Sequence, residues 1–196
     1  MGEMIKMVVV LTLLTAVSGG LLAFVKSGTE VRIEEQILKF QKAPAIAEIF
    51  PEDTITNDPL KERFNIESEE FTLQVFPAVL EDGSKAVAFE TKGKGGYGGD
   101  VGLMVGINLA TDQVVSVRVT THSETPGLGA RVKDEPDFVS QFAELSLDTN
   151  MGLKSDGGTI DAISGATITS RAVTLAAIEA QRLYKEFKPQ IEEKIQ

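Results

Sequence analysis

The sequence contains no cysteine and no tryptophan, and it has a single histidine among its 196 residues. Without cysteine the chain forms neither a disulfide framework nor a cysteine-ligated iron–sulfur cluster, and it carries no lipoprotein anchor. The lone histidine, His122, excludes a metal site built from several histidines. Any redox chemistry must therefore come from a bound organic cofactor or from a metal with other ligands.

Positive charge is also scarce, because 19 lysines and arginines stand against 29 aspartates and glutamates, a formal net charge of -10. A surface of this sign repels a phosphate backbone, so nucleic acid is not expected as a partner. The acidic excess is otherwise typical of a solvated surface. With 42% apolar residues, the chain can bury the core of one moderate domain that carries an appendage.

Long apolar runs are absent except for one, at residues 7–25, which has no charged residue and lies between Lys6 and Lys26. Its length predicts a transmembrane helix, so we expect a membrane anchor at residues 1–26. A cleaved signal peptide is the alternative, because residues 16–18 (Ala-Val-Ser) resemble a small-x-small cleavage site. The apolar run continues to Val25, which favours a retained anchor. The few flanking charges do not indicate its orientation.

The remainder of the sequence predicts an α+β domain with a mainly antiparallel sheet and packed helices. Residues 27–70 suggest a helical stalk, broken near Pro44, and a connecting region rich in proline and acidic residues. Within a domain at residues 71–190, paired runs of Val, Phe and Leu separated by turn residues predict strands at 71–80, 86–91, 101–108 and 114–121. Helices are expected at residues 138–145 and 168–187.

The segment Asp161-Ala162-Ile163-Ser164-Gly165-Ala166-Thr167 precedes the last of these helices. Gly165 and Ala166 leave the backbone accessible, and the free N–H groups and positive dipole end of the helix would face an anion at Thr167. The segment can therefore hold a phosphate. From spacing alone a plain N-cap is the commoner meaning of a threonine in this position.

Two further blocks are typical of loops that surround a ligand. The cluster Gly95–Gly99 allows close backbone approach and includes Tyr97, a flat ring with a hydroxyl; it matches neither a P-loop nor a dinucleotide fingerprint. In the block from His122 to Gly129, the Thr125-Pro126-Gly127-Leu128 segment predicts a type II turn directly after a strand. His122 and Glu124 can serve there as structural hydrogen-bonding groups or take part in function.

These three blocks, in this order, resemble the FMN-binding family of Rnf and sodium-pumping NADH:quinone oxidoreductase complexes. With the anchor, the resemblance spans nearly the whole chain, and the compact length is most similar to the G subunit of the Rnf complex. It implies FMN in phosphoester linkage to Thr167, installed by a separate flavin transferase. The site residues that it implies near the attachment point are Asp161, Ser164, Gly165 and Ala166. Those that it implies elsewhere in the cofactor site are Tyr97, Glu124, Thr125, Gly127, Leu128 and Gly129.

The function implied is that of an electron-transfer subunit in a membrane-bound, ion-translocating ferredoxin:NAD oxidoreductase. Its partners would be the other subunits, and its domain would lie on the extracytoplasmic side of a single membrane span. The corresponding subunit of the sodium-pumping quinone reductase is one alternative, and a membrane-tethered flavin-binding regulatory module is another. A hydrolase that uses Ser164 or Thr167 is poorly supported, because the chain has no nucleophile elbow and no triad spacing around its histidine.

Overall fold

The computed structural model describes residues 2–68 and 71–195. Residues 1 and 196, together with residues 69 and 70 at the end of the predicted connecting region, lie outside the described residues. The chain divides into two compact units, one that ends at Phe40 and one that begins at Gln41.

The first unit consists mainly of one helix, α1 (Gly2–Ile37), none of whose residues is buried. It contains the apolar run and is, within the described part of the chain, the only helix long and apolar enough to cross a membrane. The helix continues without a break through residues 16–18, the segment that resembles a signal-peptide cleavage site. This helix fits a single-pass membrane anchor.

A π-helical turn, Leu38–Lys42, separates α1 from α2 (Ala43–Ile49), which carries Pro44 in its first turn. Proline has no N–H to donate but is well accommodated at the start of a helix. The helical run therefore continues through Pro44, and the change in helical geometry lies just before it, at Leu38–Lys42.

The second unit is built on an antiparallel sheet in which the strands follow chain order, β1-β2-β3-β4-β5. The predicted strands are confirmed, and with the packed helices they establish the α+β class. One strand within the predicted connecting region was missed. The described strands are β1 (Phe64–Glu67), β2 (Thr72–Val79), β3 (Lys85–Gly93), β4 (Val101–Asn108) and β5 (Gln113–Thr121).

Helices cover both faces of this sheet. The long helix α5 (Thr167–Ile195) packs mainly on β3 and β4, and α2 packs on the opposite face against β4 and β5. Strand β4 is consequently buried on both sides along most of its length, which explains why its sequence is almost continuously apolar and does not alternate.

The helices between the sheet and α5 are shorter than the sequence predicts. The described ones are α3 (Arg131–Asp134), α4 (Pro136–Val139) and two 3-10 turns, at Ser140–Phe142 and Lys154–Asp156. The helix expected at residues 138–145 ends early because Ala143 is extended and Glu144 has a φ of +61°. The predicted end of the last helix at residue 187 is also wrong. It continues to Ile195 despite Pro189, since the fully buried Ile191 stabilises the added turns through packing.

The backbone of α5 lies directly against β3 where Gly93 faces Ala172. A Cβ on Gly93 would overlap the Ala172 carbonyl and lie 2.9 Å from the Ala176 backbone nitrogen. The Thr91 hydroxyl donates to the Ala176 carbonyl at 2.8 Å. These contacts place the first turns of α5 beside the end of β3, from which the glycine-rich loop departs.

At the other end of the domain, Asp112 in the β4–β5 turn ties that turn to α5. It accepts a hydrogen bond from the Tyr184 hydroxyl at 2.6 Å and from Lys188 Nζ at 2.7 Å. These two partners, Lys188 foremost, hold the pKa of the Asp112 carboxyl below its usual range, and burial together with Asp112 raises the pKa of the Tyr184 hydroxyl. Asp112 also has a φ of +51°, which asparagine tolerates as well.

We expect Asp112→Asn to destabilise the domain by about 1 kcal/mol near pH 7. The substitution removes the negative charge that pairs with Lys188, and the pair is half-exposed, so its contribution is modest. A carboxyl whose pKa is lowered by folding contributes stability above its unfolded pKa of about 3.9, and loses it as the pH falls below that value. The difference in urea midpoint between the two proteins should therefore shrink below about pH 4. Asp148→Asn is the control, because Asp148 pairs with Lys185 while 88% exposed and should change little. A difference that persists undiminished at pH 3 contradicts the assignment.

Candidate functional site

Thr167 is the first residue of α5, and its side chain is exposed. A tight turn leads into it, in which the Ala166 N–H donates to the Ile163 carbonyl at 2.9 Å and Gly165 has a φ of +79°. The first helical bond runs from the Ser170 N–H to the Ala166 carbonyl, and Ser170 Oγ accepts the Ile163 N–H at 3.1 Å. Ala166 therefore occupies the N-cap, and Thr167 follows it inside the first turn.

In this position the Thr167 hydroxyl has no hydrogen-bond partner among the described residues. The hydroxyl of a capping threonine would instead accept a backbone N–H of the first turn. The backbone N–H groups of residues 167–169 precede the first helical bond and have no carbonyl partner within the helix. They carry the positive end of the α5 dipole. An exposed hydroxyl and free donors thus share one helical turn.

Two side chains outside the motif hold its loop in shape. Gln141 pairs with the backbone of Asp161 in both directions: its Nε2 donates to the carbonyl at 3.2 Å, and its Oε1 accepts the N–H at 2.7 Å. Arg131 Nη1 donates to the Ser164 carbonyl at 3.0 Å. These bonds hold the loop backbone in a defined shape.

Ion pairs lie beside the loop. The Asp161 carboxylate contacts Lys154 Nζ at 2.5 Å, and Asp156 accepts two bonds from Arg171, at 2.7 and 3.1 Å. The Arg171 hydrogen bonds hold the pKa of the Asp156 carboxyl below its usual range. Because all four side chains are largely exposed, the pairs orient the first turns of α5 more than they stabilise the fold.

The type II turn predicted at residues 125–128 is confirmed. The Leu128 N–H donates to the Thr125 carbonyl at 3.2 Å, and Gly127 has the positive φ, +72°, that the third position requires. The Leu128 side chain remains 48% exposed, and its Cδ1 lies 3.4 Å from where a Cβ on Gly165 would stand. The turn and the attachment loop are therefore neighbours.

The glycine-rich loop between β3 and β4 lies against the chain that leaves β5. A Cβ on Gly98 would overlap the Ser123 carbonyl, so only glycine allows this approach. Gly95 and Gly99 have φ values of +81° and +131°, which other residues rarely adopt. Tyr97, at the tip, is 78% exposed and presents its ring to solvent.

Glu124 joins these segments. Its side chain is only 5% exposed, and its two carboxylate oxygens accept the Gly98 N–H at 2.8 Å and the Thr169 hydroxyl at 2.5 Å. A Cβ on Gly129 would lie 2.7 Å from Glu124 Oε2, so a glycine there leaves room for the carboxylate. One buried side chain thus bridges the glycine-rich loop and the first turn of α5.

The space enclosed by these segments is an open cleft of about 500 Å³, within the range of small-molecule sites. Large apolar groups stand exposed around it, and the N-terminal turn of α5 forms one wall. The lining residues are Tyr97, Glu124, Thr125, Leu128, Gly129, Gly165, Ala166, Thr167, Ile168 and Thr169.

Most site residues expected from the sequence therefore meet at one cleft. Asp161, Ser164 and Gly127 do not line it; the first two belong to the adjoining loop, and Gly127 shapes the turn. Sequence reasoning missed Ile168 and Thr169. The sequence predicts Ile168 as the first residue of the last helix and indicates no role for it, although its side chain is 47% exposed beside the motif. Its position directly after Thr167 is the sequence feature that could have indicated a place in the site.

Among the described residues, the His122 side chain makes one hydrogen bond, in which its Nδ1 accepts the Glu124 N–H at 3.3 Å. This bond orders the short segment between the end of β5 and the buried Glu124. No group of three or more metal-ligating side chains occurs among residues 2–68 and 71–195.

Comparison with known proteins identifies relatives of this domain. A family model described as an FMN-binding domain matches residues 96–181, which include the glycine-rich loop, the turn and the first half of α5. The solved structure of the C subunit of Na⁺-translocating NADH-quinone reductase from Parabacteroides distasonis superposes with a TM-score of 0.51 over 68% of this chain and 75% of that chain. At 22% identity, this likeness shows a shared fold.

Sequence relatives extend over almost the entire chain. The G subunit of the ion-translocating oxidoreductase complex from Shewanella piezotolerans is 32% identical over 200 residues, which cover 96% of this chain and 93% of that protein. Its counterpart from Salmonella typhimurium is 33% identical over 189 residues, with 92% and 90% covered. The chain therefore belongs to the family of FMN-binding-domain proteins that includes the G subunit of the ion-translocating oxidoreductase complex.

Proposed function

We propose that this chain is the covalent-FMN electron-transfer subunit of a membrane-bound, ion-translocating ferredoxin:NAD oxidoreductase of the Rnf type. The observation that carries the proposal is the exposed Thr167 hydroxyl, which lines a cleft at the N-terminus of α5. That position combines an oxygen for a phosphoester with donors for the remaining phosphate oxygens.

The cleft suits the rest of the cofactor. Tyr97, Leu128 and Ile168 present apolar surface on which an isoalloxazine ring can pack, and each is at least 47% exposed. The turn at residues 125–128 directs the Gly129 region toward the same space, so backbone donors can reach the polar edge of the ring. Bound FMN supplies one-electron exchange, and the protein supplies its position and potential.

Thr167 is an attachment point and takes no part in turnover as a nucleophile. A separate flavin transferase forms the phosphoester, and the loop held by Gln141 and Arg131 presents the hydroxyl to it in a fixed shape. A tether keeps the flavin from being lost outside the cytoplasm. It also holds the ring at a constant location relative to neighbouring redox subunits, a condition for directional electron flow.

We further propose that α1 anchors the protein by a single membrane span, with the domain on the extracytoplasmic side, and that the other subunits of the complex are its partners. The match to the G subunit extends over almost the whole chain, which supports this assignment. The similarity to the C subunit of the sodium-pumping quinone reductase supports only a shared fold. Ferredoxin oxidation and NAD reduction belong to other subunits.

The experiment that tests the proposal compares membranes in which the assembled complex contains either the wild-type chain or Thr167→Val. The variant should assemble normally yet lose ferredoxin-dependent NAD reduction, because without the phosphoester the flavin dissociates from the complex and the electron path is broken. Subunit content by native gel is the control for assembly. Full electron transfer through the assembled variant would favour the membrane-tethered regulatory module instead.

A further inference from the structure

Glu124 is the one carboxylate in the lining of the cleft. Both of its oxygens act as acceptors, from a backbone N–H of the glycine-rich loop and from a hydroxyl of α5. Because the partners belong to separate segments, the carboxylate cannot turn away from the cleft without breaking one of the bonds. Its position is therefore fixed relative to whatever the cleft holds.

In the part of the chain that the structure describes, no cation is paired with this carboxylate. Among the ion pairs of residues 2–68 and 71–195, none includes Glu124, and the cleft lining contains neither lysine nor arginine. The neutral donors at Gly98 and Thr169 satisfy its oxygens but do not cancel its charge. A buried negative charge acts more strongly on its neighbours than an exposed one, since water screens it less.

We propose that Glu124 sets the reduction potential of the cofactor, lowering it through the fixed negative charge that it holds beside the cleft. The inference rests on the proposed function, since it concerns FMN in this site. Adding electrons to FMN increases negative charge next to a carboxylate, so reduction becomes less favourable. The free N–H groups of residues 167–169 act in the opposite sense, and the two effects together decide the potential.

The test is Glu124→Gln, which keeps the size of the side chain and an acceptor for the Gly98 N–H but removes the charge. The full chain, flavinylated by the transferase in detergent, is titrated spectroelectrochemically beside the wild type. We expect a more positive potential in the variant. At one fixed ambient potential, the ratio of reduced to oxidised flavin should rise by about tenfold in the variant. This is the effect of removing a unit charge that lies within roughly 10 Å of the flavin at an effective dielectric constant of ~20.

Two matched variants separate charge from architecture. Asp100→Asn removes an exposed carboxylate directly after the glycine-rich loop and should leave the potential near that of the wild type. Thr169→Val removes the hydroxyl that donates to Glu124 but keeps the carboxylate, so its potential should not rise. The inference is overturned if the flavin in Glu124→Gln has the same reduction potential as the flavin in Asp100→Asn.

A second measurement does not depend on covalent attachment. In full-length Thr167→Val, the dissociation constants of oxidised and of reduced FMN are compared with and without Glu124→Gln. The inference requires that the added substitution strengthen binding of reduced FMN about tenfold more than binding of oxidised FMN. An equal change in both constants would show a purely structural role and overturn it. Failure of the proposed function is recognised separately, by a wild-type chain that takes up no FMN adduct.

Discussion

Thr167→Val yields a chain with no covalent flavin, while the wild type co-expressed with a flavin transferase gains the mass of one FMN less one water. The loss should be complete because valine has the shape of threonine but no oxygen with which to form the ester. The fold should persist, since the side chain is exposed and its hydroxyl has no partner among the described residues. We expect the free energy of unfolding to change by less than about 0.5 kcal/mol. Intact mass, followed by mapping of the 161–171 peptide, measures both the loss and its location.

Thr159→Val is the matched control for this result. Thr159 is also exposed and lies just before the motif, where its hydroxyl donates to the Asn150 carbonyl. Its replacement should leave the adduct in place. Retention of the adduct in Thr167→Val, mapped to Ser164, Thr169 or Ser170, would contradict the assignment of the attachment point.

Gly93→Ala is expected to have the largest effect on stability. The new methyl group would overlap the Ala172 carbonyl, and neither backbone can yield without separating α5 from β3. Overpacking against backbone costs more than overpacking against a flexible side chain, so we expect a loss of roughly 3 kcal/mol or more. Flavin attachment should fall as well, because this contact positions the first turn of α5. Urea unfolding, with the adduct yield on the same samples, measures both effects.

The control is Gly28→Ala, since a Cβ at Gly28 in α1 meets nothing within 4 Å. In an exposed helix, alanine is preferred over glycine, and domain stability should not decrease. An unfolding midpoint for Gly93→Ala equal to that of the wild type would show that α5 and β3 are not packed this closely.

Much of the fold could be predicted because its signals are local. Alternating or continuous runs of β-branched residues located β2 to β5 to within about two residues. Strand β1 gave no such signal: it is four residues long and becomes a strand only by pairing with β2. Helix α5 continues past its predicted end at residue 187, because the burial of Ile191 outweighs the local helix-breaking effect of Pro189.

The site was predicted less evenly than the fold. Thr167 and the turn at residues 125–128 could be found, because a motif and a turn type are properties of neighbouring residues. The bonds of Glu124 to Gly98 and Thr169 could not, since they join residues 26 and 45 positions apart. Ile168 was missed for a related reason: whether an apolar residue at a helix start is buried depends on what packs beside it.

The sequence by itself determined the apolar span of α1, the order of the strands along the chain and the presence of a hydroxyl before a long helix. Each follows from the chemistry of adjacent residues, namely side-chain polarity, backbone propensity and turn preference. Only the tertiary structure decided that three separate loops form one cleft and that a carboxylate is buried between two of them. Close packing of α5 on the sheet produces both, because it brings together segments that have no interaction along the chain.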